Sequence, residues 1–406
     1  MLRVNAYYKL GDVSEKIGSG STPKGGQSVY IEYGVSLIRS QNVYNMEFSY
    51  NGLAHIDDNA AKILKNVVLK EEDILLNITG DSVARCCIVP KDVLPARVNQ
   101  HVSIVRVDTS LINPKFLMYY LVSPFMQKYL IMLAQGKGAS RSALTKEMIS
   151  KLDIPKIDLN CQAIITNSLE KYDLLIENNK KRIKILEQMA DEIYKEWFVK
   201  MRFPNFEKYN FKSENPKGWI LGNHNEMFIP EDWKFGKVID IGTFVRGKNI
   251  TKGEMIEGEI PVISAGIEPS GYHNESNVKG YSLTMSASGA NAGYLNYHLN
   301  DIWAADCSYY NNDSNIWFMY NSLNFIRKAI DNLQVGSAQP HVYPKNINKL
   351  SILIPEEKYI LKFNELVKPF YEEIKVLKSK NGNLAKQRDL LLPRLMSGKL
   401  EVKESE

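Results

Sequence analysis

The sequence is poor in the residues that build metal sites and disulfide frameworks. Its 406 residues include only 4 cysteines and 6 histidines. Cys86 and Cys87 are adjacent, Cys161 and Cys307 stand alone, and no C-x-x-C pair occurs. A zinc site or a dithiol redox centre is therefore not predicted. We expect ordinary buried thiols in a reducing compartment.

Long hydrophobic runs are missing as well. No uninterrupted apolar stretch reaches the roughly 18 residues that a membrane span needs, and the first residues lack the apolar core of a signal peptide. These two absences predict a soluble, cytoplasmic protein.

Catalytic motifs are also absent. The chain has no G-x-x-x-x-G-K-[ST] phosphate loop and no H-E-x-x-H zinc motif, and it lacks the Asn-Pro-Pro-aromatic run of enzymes that act on an extruded base. The acidic segment 230–234 resembles part of a nuclease centre, but metal chemistry needs several converging ligands and no second acidic cluster lies nearby. We expect no catalytic, cofactor or metal site in this chain.

The composition fits a folded protein, and its overall charge favours a polyanionic partner only weakly. Hydrophobic residues make up 44%, enough for sizeable cores, and charged residues 24%. Lys and Arg number 51 against 46 Asp and Glu, a net charge of +5, which is compatible with nucleic acid without requiring it.

The chain repeats itself, and this repeat governs the interpretation. Four blocks return in the same order: a short segment before a Gly-rich turn, a short apolar strand, apolar residues running into a glycine turn, and a strand ending in proline. The paired blocks are 9–13 and 234–238, 35–40 and 260–265, 73–80 and 283–289, and 151–155 and 349–355. Both copies then enter a long helical pattern.

Each globular copy is predicted to be mixed α and β. The β-branched run 102–107 indicates a strand and 114–133 a helix. The predicted organisation is a first globular domain at 1–157, a helix at 158–202, a linker at 203–230, a second globular domain at 231–356, and a second helix and tail at 357–406.

Both helical segments carry a narrow apolar stripe with a 3.5-residue repeat, which is typical of a coiled-coil seam. The first stripe is Ile165, Leu169, Tyr172, Ile176, Asn179, Ile183, Leu186, Ala190, Ile193 and Trp197. The second stripe is Phe363, Val367, Phe370, Ile374, Leu377, Asn381, Leu384, Arg388, Leu391 and Leu395. The first helix, over 161–200, would span roughly 60 Å. Pro369 lies inside the second helix and is a potential kink, and Pro393 should end or bend it.

The two stripes are expected to pack on each other as an antiparallel pair, because leaving them in water is costly. That arrangement matches size and polarity at the facing positions, which are Ile165 and Leu395, Tyr172 and Arg388, Asn179 and Asn381, Ala190 and Phe370, and Trp197 and Phe363. A parallel pair would set Ala190 against Arg388. The remaining alternative is that each helix docks only on its own domain.

Several of these stretches resemble type I restriction–modification specificity subunits. The run 387–400 is similar to the family's second conserved helix and tail, and 186–204 to its central conserved region. Segments 286–293 and 336–344 resemble parts of its target recognition domains. The resemblance covers essentially the whole chain.

This resemblance implies an α+β fold in which two mixed α/β target recognition domains are separated by two long antiparallel coiled-coil helices, with an internal pseudo-two-fold repeat. It implies sequence-specific binding of a bipartite site in double-stranded DNA, with helix length setting the unread gap. It also implies two modification (methyltransferase) subunits and restriction (motor-nuclease) subunits as partners, which use S-adenosylmethionine, ATP and Mg²⁺.

Candidate DNA-reading residues are cations, amides and hydroxyls in turns, because these groups reach base edges and phosphates. In the first domain they are Arg39, Gln41, Asn42, Lys137, Ser140 and Arg141. In the second domain they are Arg246, Lys248, Asn291, Gln339 and His341. For the glycine-containing loop 135–142, a solvated surface loop remains an equal alternative.

Two other functions remain open at this point. One is a self-contained DNA nuclease or methyltransferase, which the missing motifs argue against. The other is a protein scaffold that binds no DNA, which a gel-shift experiment with duplex DNA would distinguish.

Overall fold

The computed structural model describes residues 6–136, 142–214, 226–333 and 340–396. These residues form two compact units. The first contains the chain up to Glu177 together with the part from Asn381 onward, and the second is Asn178–Lys380. Each long helix therefore contributes one part to each unit. No helix among the described residues is both long and apolar enough to cross a membrane.

The first unit contains short strands with small helices between them. Its strands are β1 (Tyr7–Lys9), β2 (Ser14–Ser19), β3 (Val35–Ile38), β4 (Val43–Tyr44), β5 (Glu47–Phe48), β6 (Ala54–Ile56), β7 (Ile74–Asn77), β8 (Cys86–Ile88), β9 (Ala96–Val98), β10 (Val102–Val107) and β11 (Asp153–Pro155). Its helices are α1 (Asp58–Ile63), α2 (Pro114–Val122), α3 (Pro124–Gln135), α4 (Lys146–Ser150) and the first part of α5 (Leu159–Tyr194).

The strands of the first unit form one four-stranded sheet and smaller ones. The main sheet has the order β2-β10-β7-β8 and is antiparallel throughout. A three-stranded sheet has the order β6-β3-β9, with β3 and β9 parallel, and β1 pairs with β11. The apolar strand β7 is buried along its whole length because it lies inside the main sheet.

The helical stretch expected at 114–133 is present, and the structure divides it into two helices, α2 and α3. Ser123 ends α2, and its side chain caps α3 by accepting a hydrogen bond from the Met126 amide. Pro124 follows at the first position of α3, where a proline loses no helical hydrogen bond. The serine–proline pair thus ends one helix and begins the next.

The second unit has its own set of short strands. They are β12 (Phe211–Glu214), β13 (Met227–Pro230), β14 (Lys234–Lys237), β15 (Val245–Arg246), β16 (Ile260–Ile263), β17 (Gly271–His273), β18 (Ser282–Ser286), β19 (Leu295–His298), β20 (Trp303–Ala304), β21 (Cys307–Asn311) and β22 (Ser351–Ile354). Its helices are α6 (Ile316–Phe325), α7 (Arg327–Asp331), α8 (Pro344–Ile347), the second part of α5 and the first part of α9 (Glu357–Met396).

The sheets of the second unit repeat the topology of the first. The main sheet has the order β15-β21-β18-β19, and the three-stranded sheet the order β17-β16-β20, with β16 and β20 parallel. The pair β14-β22 corresponds to β1-β11. The internal repeat predicted from the sequence is therefore present in the strand order, and its four paired blocks occupy equivalent strands.

The predicted linker at 203–230 contains packed structure where it is described. Phe203 is buried and stacks on Trp233 with ring centroids 4.6 Å apart. The strands β12 and β13 then pair antiparallel. The segment is thus anchored to the second unit by aromatic contacts.

The two long helices carry the predicted stripes on their covered sides. α5 is followed by a single turn of π-helix at Lys195–Val199, and α9 is continuous over 40 residues. Every residue of both predicted stripes is buried or half-buried. α9 continues through Pro393 to Met396, which is the last residue that the structure describes, so the expected effect of Pro393 on the last turn stays a prediction. Pro369 and Pro393 are both exposed, so solvent can satisfy the carbonyl groups that each proline leaves without a donor.

Within the second unit, α5 and α9 run antiparallel. The Trp197 and Phe363 rings are in contact, with centroids 6.0 Å apart, and Arg182 forms an ion pair with Glu373 at 2.8 Å. Contacting residues have increasing numbers along α9 as their partners have decreasing numbers along α5, as in an antiparallel pair.

The first unit shows the same direction. Ile165 and Leu169 share a hydrophobic cluster with Leu392 and Leu395, and Asp173 forms an ion pair with Arg388 at 2.5 Å. Arg388 was expected to face Tyr172 and instead binds the carboxylate of the next residue, which offers a full opposite charge. Asn179 and Asn381 belong to different units, so their facing stays a prediction.

The helices also dock on the globular part of their own unit. Tyr194 and Phe198 are fully buried and contact Phe318. Tyr371 stacks on Trp317 with centroids 3.4 Å apart. These residues lie beside the predicted stripes, so the buried face of each helix is wider than a coiled-coil seam. Helix pairing and docking on the domain, treated as alternatives from the sequence, occur together.

Candidate nucleic-acid interface

In the second unit, the predicted DNA-reading residues Arg246, Asn291 and His341 lie around one loop. The loop follows β18 and begins at Gly289, whose φ of +75° is readily adopted only by glycine. Ser288 donates its hydroxyl to the Asp306 carboxylate at 2.6 Å, and Arg246 forms an ion pair with the other oxygen of Asp306. Ser288 also forms a β-bridge with His341.

A glycine holds the basic segment close to this carboxylate. A Cβ atom at Gly247 would come within 2.6 Å of the Ala304 carbonyl oxygen, so no other residue fits there without movement. Arg246 and Lys248 flank the glycine and are both exposed. The Lys248 ammonium lies 5.9 Å from the centroid of the Trp303 ring. Two cations are thus presented on a rigid, tightly packed backbone.

Of the residues around this loop, Asn291 and His341 are half-buried. The Asn291 carbonyl accepts a hydrogen bond from the Tyr294 amide in the turn, while His341 stacks on Tyr343 at 15° between ring planes. Gln339 lies outside the described residues.

The first unit has an equivalent surface that the sequence did not reveal. Thr79 precedes Gly80, which has a φ of +72°, and its hydroxyl lies 2.7 Å from His101 Nδ1. A Cβ at Gly20 would lie 2.0 Å from the Val98 carbonyl oxygen, which is a closer approach than at Gly247. Strand pairing places Thr79 where the second unit has Ser288, and His101 where it has Asp306.

The predicted residues Arg39, Gln41 and Asn42 lie on a separate turn and are engaged with its backbone. Arg39 Nη2 donates to the Gly52 carbonyl, and Gln41 Nε2 points at the same oxygen at 3.4 Å. Asn42 is fully buried. Its amide nitrogen donates to the Ser49 and Asn51 carbonyl groups, so this side chain shapes the turn, and a role in reading bases does not fit the structure.

The other first-domain candidates are Lys137, Ser140 and Arg141, which lie outside the described residues. The acidic segment 230–234 contributes strand residues and the buried Trp233. Across the described part of the chain, no group of three or more His, Cys, Asp or Glu residues is placed to hold a metal ion.

The two surfaces therefore share a backbone and differ in side chains. Both surfaces have a glycine directly after β2 or β15, a glycine turn after β7 or β18, and a hydroxyl side chain just before that turn. Two positions differ between the units. The last residue of β2 is Ser19 where β15 has Arg246, and the residue before β10 is His101 where Asp306 precedes β21. Such a surface can present different hydrogen-bonding groups on one scaffold.

Comparisons with known proteins agree with this arrangement. The family described as "Type I restriction modification DNA specificity domain" matches residues 5–188 and again residues 230–387. The two matches cover more than half of the chain, and they correspond to the two repeats. The chain belongs to this family.

Individual relatives extend over nearly the full length. The chain is 26% identical to the type I restriction enzyme MjaIX specificity subunit of Methanocaldococcus jannaschii, over 98% of this chain and 93% of that protein. It is 20% identical to the HindI specificity subunit of Haemophilus influenzae, over 97% and 99%. A crystal structure of a type I S subunit from M. genitalium has the same fold, with a TM-score of 0.52, 18% identity and 97% coverage of both chains.

The protein is therefore a specificity subunit of the type I restriction–modification family, with two recognition domains. Subunits of this family are non-catalytic.

Proposed function

We propose that this chain reads a split, asymmetric site in double-stranded DNA, one half with each recognition domain. The observation that carries the proposal is the repeated surface: the same strand ends and glycine turns carry Ser19 and His101 in one unit and Arg246 and Asp306 in the other. Two surfaces with the same backbone and different polar side chains suit two different half-sites, because base pairs are distinguished by their hydrogen-bond donors and acceptors.

Within this proposal, Arg246 and Lys248 contact DNA from the second domain, with Asn291 and His341 around the same loop. The predicted Gln339 precedes His341 by two residues in the sequence and stays a candidate. In the first domain, Thr79 and His101 contribute to the equivalent surface, together with the predicted Lys137, Ser140 and Arg141. Gln41, which is exposed, and Arg39 stay candidates for phosphate contacts. Asn42 is excluded by its burial.

The long helices serve as the spacer and as the assembly surface. Their length would set the number of unread base pairs between the half-sites. Each half of the helix pair would bind one modification subunit, and restriction subunits would join this complex. The partner subunits would use S-adenosylmethionine, ATP and Mg²⁺, and the complex would work in the cytoplasm.

The decisive experiment is methylation mapping in a host that expresses the chain with its modification subunit. We expect a two-part motif with a fixed gap. Inserting four residues beside Asn179 should lengthen that gap while both half-sites stay the same, and an unchanged gap would contradict the spacer role. The absence of any sequence-specific methylation, together with no duplex preference in a gel shift, would favour a protein scaffold instead.

A further inference from the structure

Each unit contains a group of three polar side chains at the point where its globular part meets both long helices. In the first unit, Asp173 of α5 accepts hydrogen bonds from the Tyr119 hydroxyl and from Arg388 of α9. Tyr119 belongs to α2 and is 2% exposed. A tyrosine of the domain, a carboxylate of α5 and a cation of α9 thus meet at one place.

The second unit contains the same three kinds of group. The Tyr297 hydroxyl, on β19, donates to the Glu187 carboxylate of α5. Lys378 of α9 donates to the Tyr297 oxygen at 3.1 Å, and its ammonium lies 4.4 Å from the centroid of that ring. Lys378 as a whole residue is exposed, but burial of its ammonium lowers its pKa. Burial and the nearby carboxylate raise the pKa of each tyrosine.

We propose that Tyr119–Asp173–Arg388 and Tyr297–Glu187–Lys378 are positioning residues that fix the rotation of each recognition domain on its own stretch of helix, and thereby restrict the DNA gap. The proposal rests on the proposed function. The groups come from unrelated elements, α2 in one unit and β19 in the other, so they do not follow from the repeat of the fold alone.

The surrounding contacts explain why a polar group is needed for this purpose. The helices dock through large aromatic side chains such as Tyr194 and Tyr371, and apolar packing tolerates small rotations and slips. A hydrogen bond to a charged group is directional and is lost when the geometry changes. Polar groups that are partly or fully desolvated fix register in helical assemblies in this way.

The test uses the complex of the full chain with its modification subunit and a DNA library in which only the gap length varies. Tyr119→Phe and Tyr297→Phe remove one hydroxyl each and keep the ring. We expect each variant to methylate the wild-type gap and to raise methylation of gaps one base pair longer or shorter by about tenfold relative to it, which corresponds to about 1.4 kcal/mol.

Two controls separate positioning from general stability. Arg182→Ala removes an exposed ion pair between the same helices, whose side chains are 52% and 40% exposed, and should leave the gap preference unchanged. Tyr129→Phe removes a hydroxyl from an exposed residue of α3 and should do the same. Lys378→Met tests the second unit independently of the tyrosine, and it should relax the gap as Tyr297→Phe does.

The outcomes distinguish the two proposals. If the tyrosine and lysine variants methylate the cognate site with the strict wild-type gap, the positioning role is overturned while the DNA-reading function stands. If the wild-type complex itself shows no gap preference, the spacer function fails and the positioning role fails with it.

Discussion

The main sheets of the two units align strand for strand, yet their central strands are joined by different chemistry. In the first unit, the buried Asp73 just before β7 binds Arg106 of β10 through two hydrogen bonds of 2.6 and 2.7 Å. In the second unit the equivalent pair is Ser282 and Asn311. One topology thus tolerates an ion pair or two neutral side chains, because the backbone ladder rather than this pair holds the strands together.

The same comparison applies at the opposite end of β10 and β21, where Ser19 and His101 in one unit replace Arg246 and Asp306 in the other. Inside the sheet, the exchange changes only how the strands are held together. At the opposite end of these strands, the exchanged groups are exposed to solvent or half-buried, so the exchange changes what the surface can bind. The four predictions below test both kinds of difference, beginning with the largest expected effect.

Asp73→Asn should destabilise the first unit far more than Ser282→Ala destabilises the second. The first change leaves the Arg106 guanidinium, whose side chain is only 15% exposed, without its partner carboxylate. Breaking such a pair costs about 3–5 kcal/mol, whereas Ser282→Ala should cost under about 1 kcal/mol. Hydrogen exchange of the amides in β7 and β18 measures the two effects in one chain. Equal loss of protection in both strands would contradict the assigned difference.

Acidification should destabilise the second unit through His298. Burial lowers its pKa to about 4, below the usual value of about 6.5, and its Nε2 lies 2.7 Å from the Thr284 hydroxyl. The unfolded chain therefore binds a proton more readily, and stability that is present above pH 6.5 is lost as the pH falls towards 4. The loss should be on the order of 3 kcal/mol.

Chemical denaturation of the wild type and His298→Gln between pH 7.5 and 4.5 measures this contribution. The glutamine variant cannot take up a proton and should show a flatter dependence on pH. In the first unit, the strand equivalent to β19 is β8 (Cys86–Ile88), which carries no histidine. The hydrogen-exchange protection of the β7 amides should therefore differ little between the wild type and His298→Gln. Parallel pH profiles would refute the assignment.

Arg246→Ser places in the second domain the residue that the first domain has at Ser19. We expect methylation of the cognate site to fall roughly ten- to a hundredfold, since a well-placed arginine contributes about 1–3 kcal/mol of base discrimination. Methylation mapping should show that one position of one half-site becomes degenerate while the other half-site keeps its sequence.

The matched control is Lys279→Ser, which removes an exposed cation at the opposite end of β18. Its effect should be small and equal at all sequences. If Arg246→Ser weakens all DNA equally, Arg246 binds phosphate rather than a base.

Arg182→Ala should have the smallest effect. An exposed ion pair contributes under about 1 kcal/mol, so the melting temperature of the full chain should stay nearly the same. Arg388→Ala should lower it more, because the Arg388 side chain is only 10% exposed. Similar shifts for both variants would contradict the difference in burial.

The parts of the site that sequence reasoning reached are those with a local signal. Gly247 and Gly289 are flanked by cations or small polar residues, and this composition led to Arg246, Lys248 and Asn291. Thr79, His101 and Asp306 were missed because they meet only when strands far apart in sequence pair. Asn42 was chosen because the polar segment around it resembles a DNA-reading turn. Its burial could not be foreseen, because it depends on the Ser49–Asn51 turn, whose carbonyl groups accept its amide hydrogens.

The sequence by itself determined the repeat, the two long helices and their apolar stripes, because helical periodicity and repeated blocks are local properties of the chain. Tertiary structure decided which polar groups meet: the break at Ser123, the partner of Arg388 and the contacts of Asp306. Those contacts depend on strand pairing and on burial, which bring together residues that no short stretch of sequence contains.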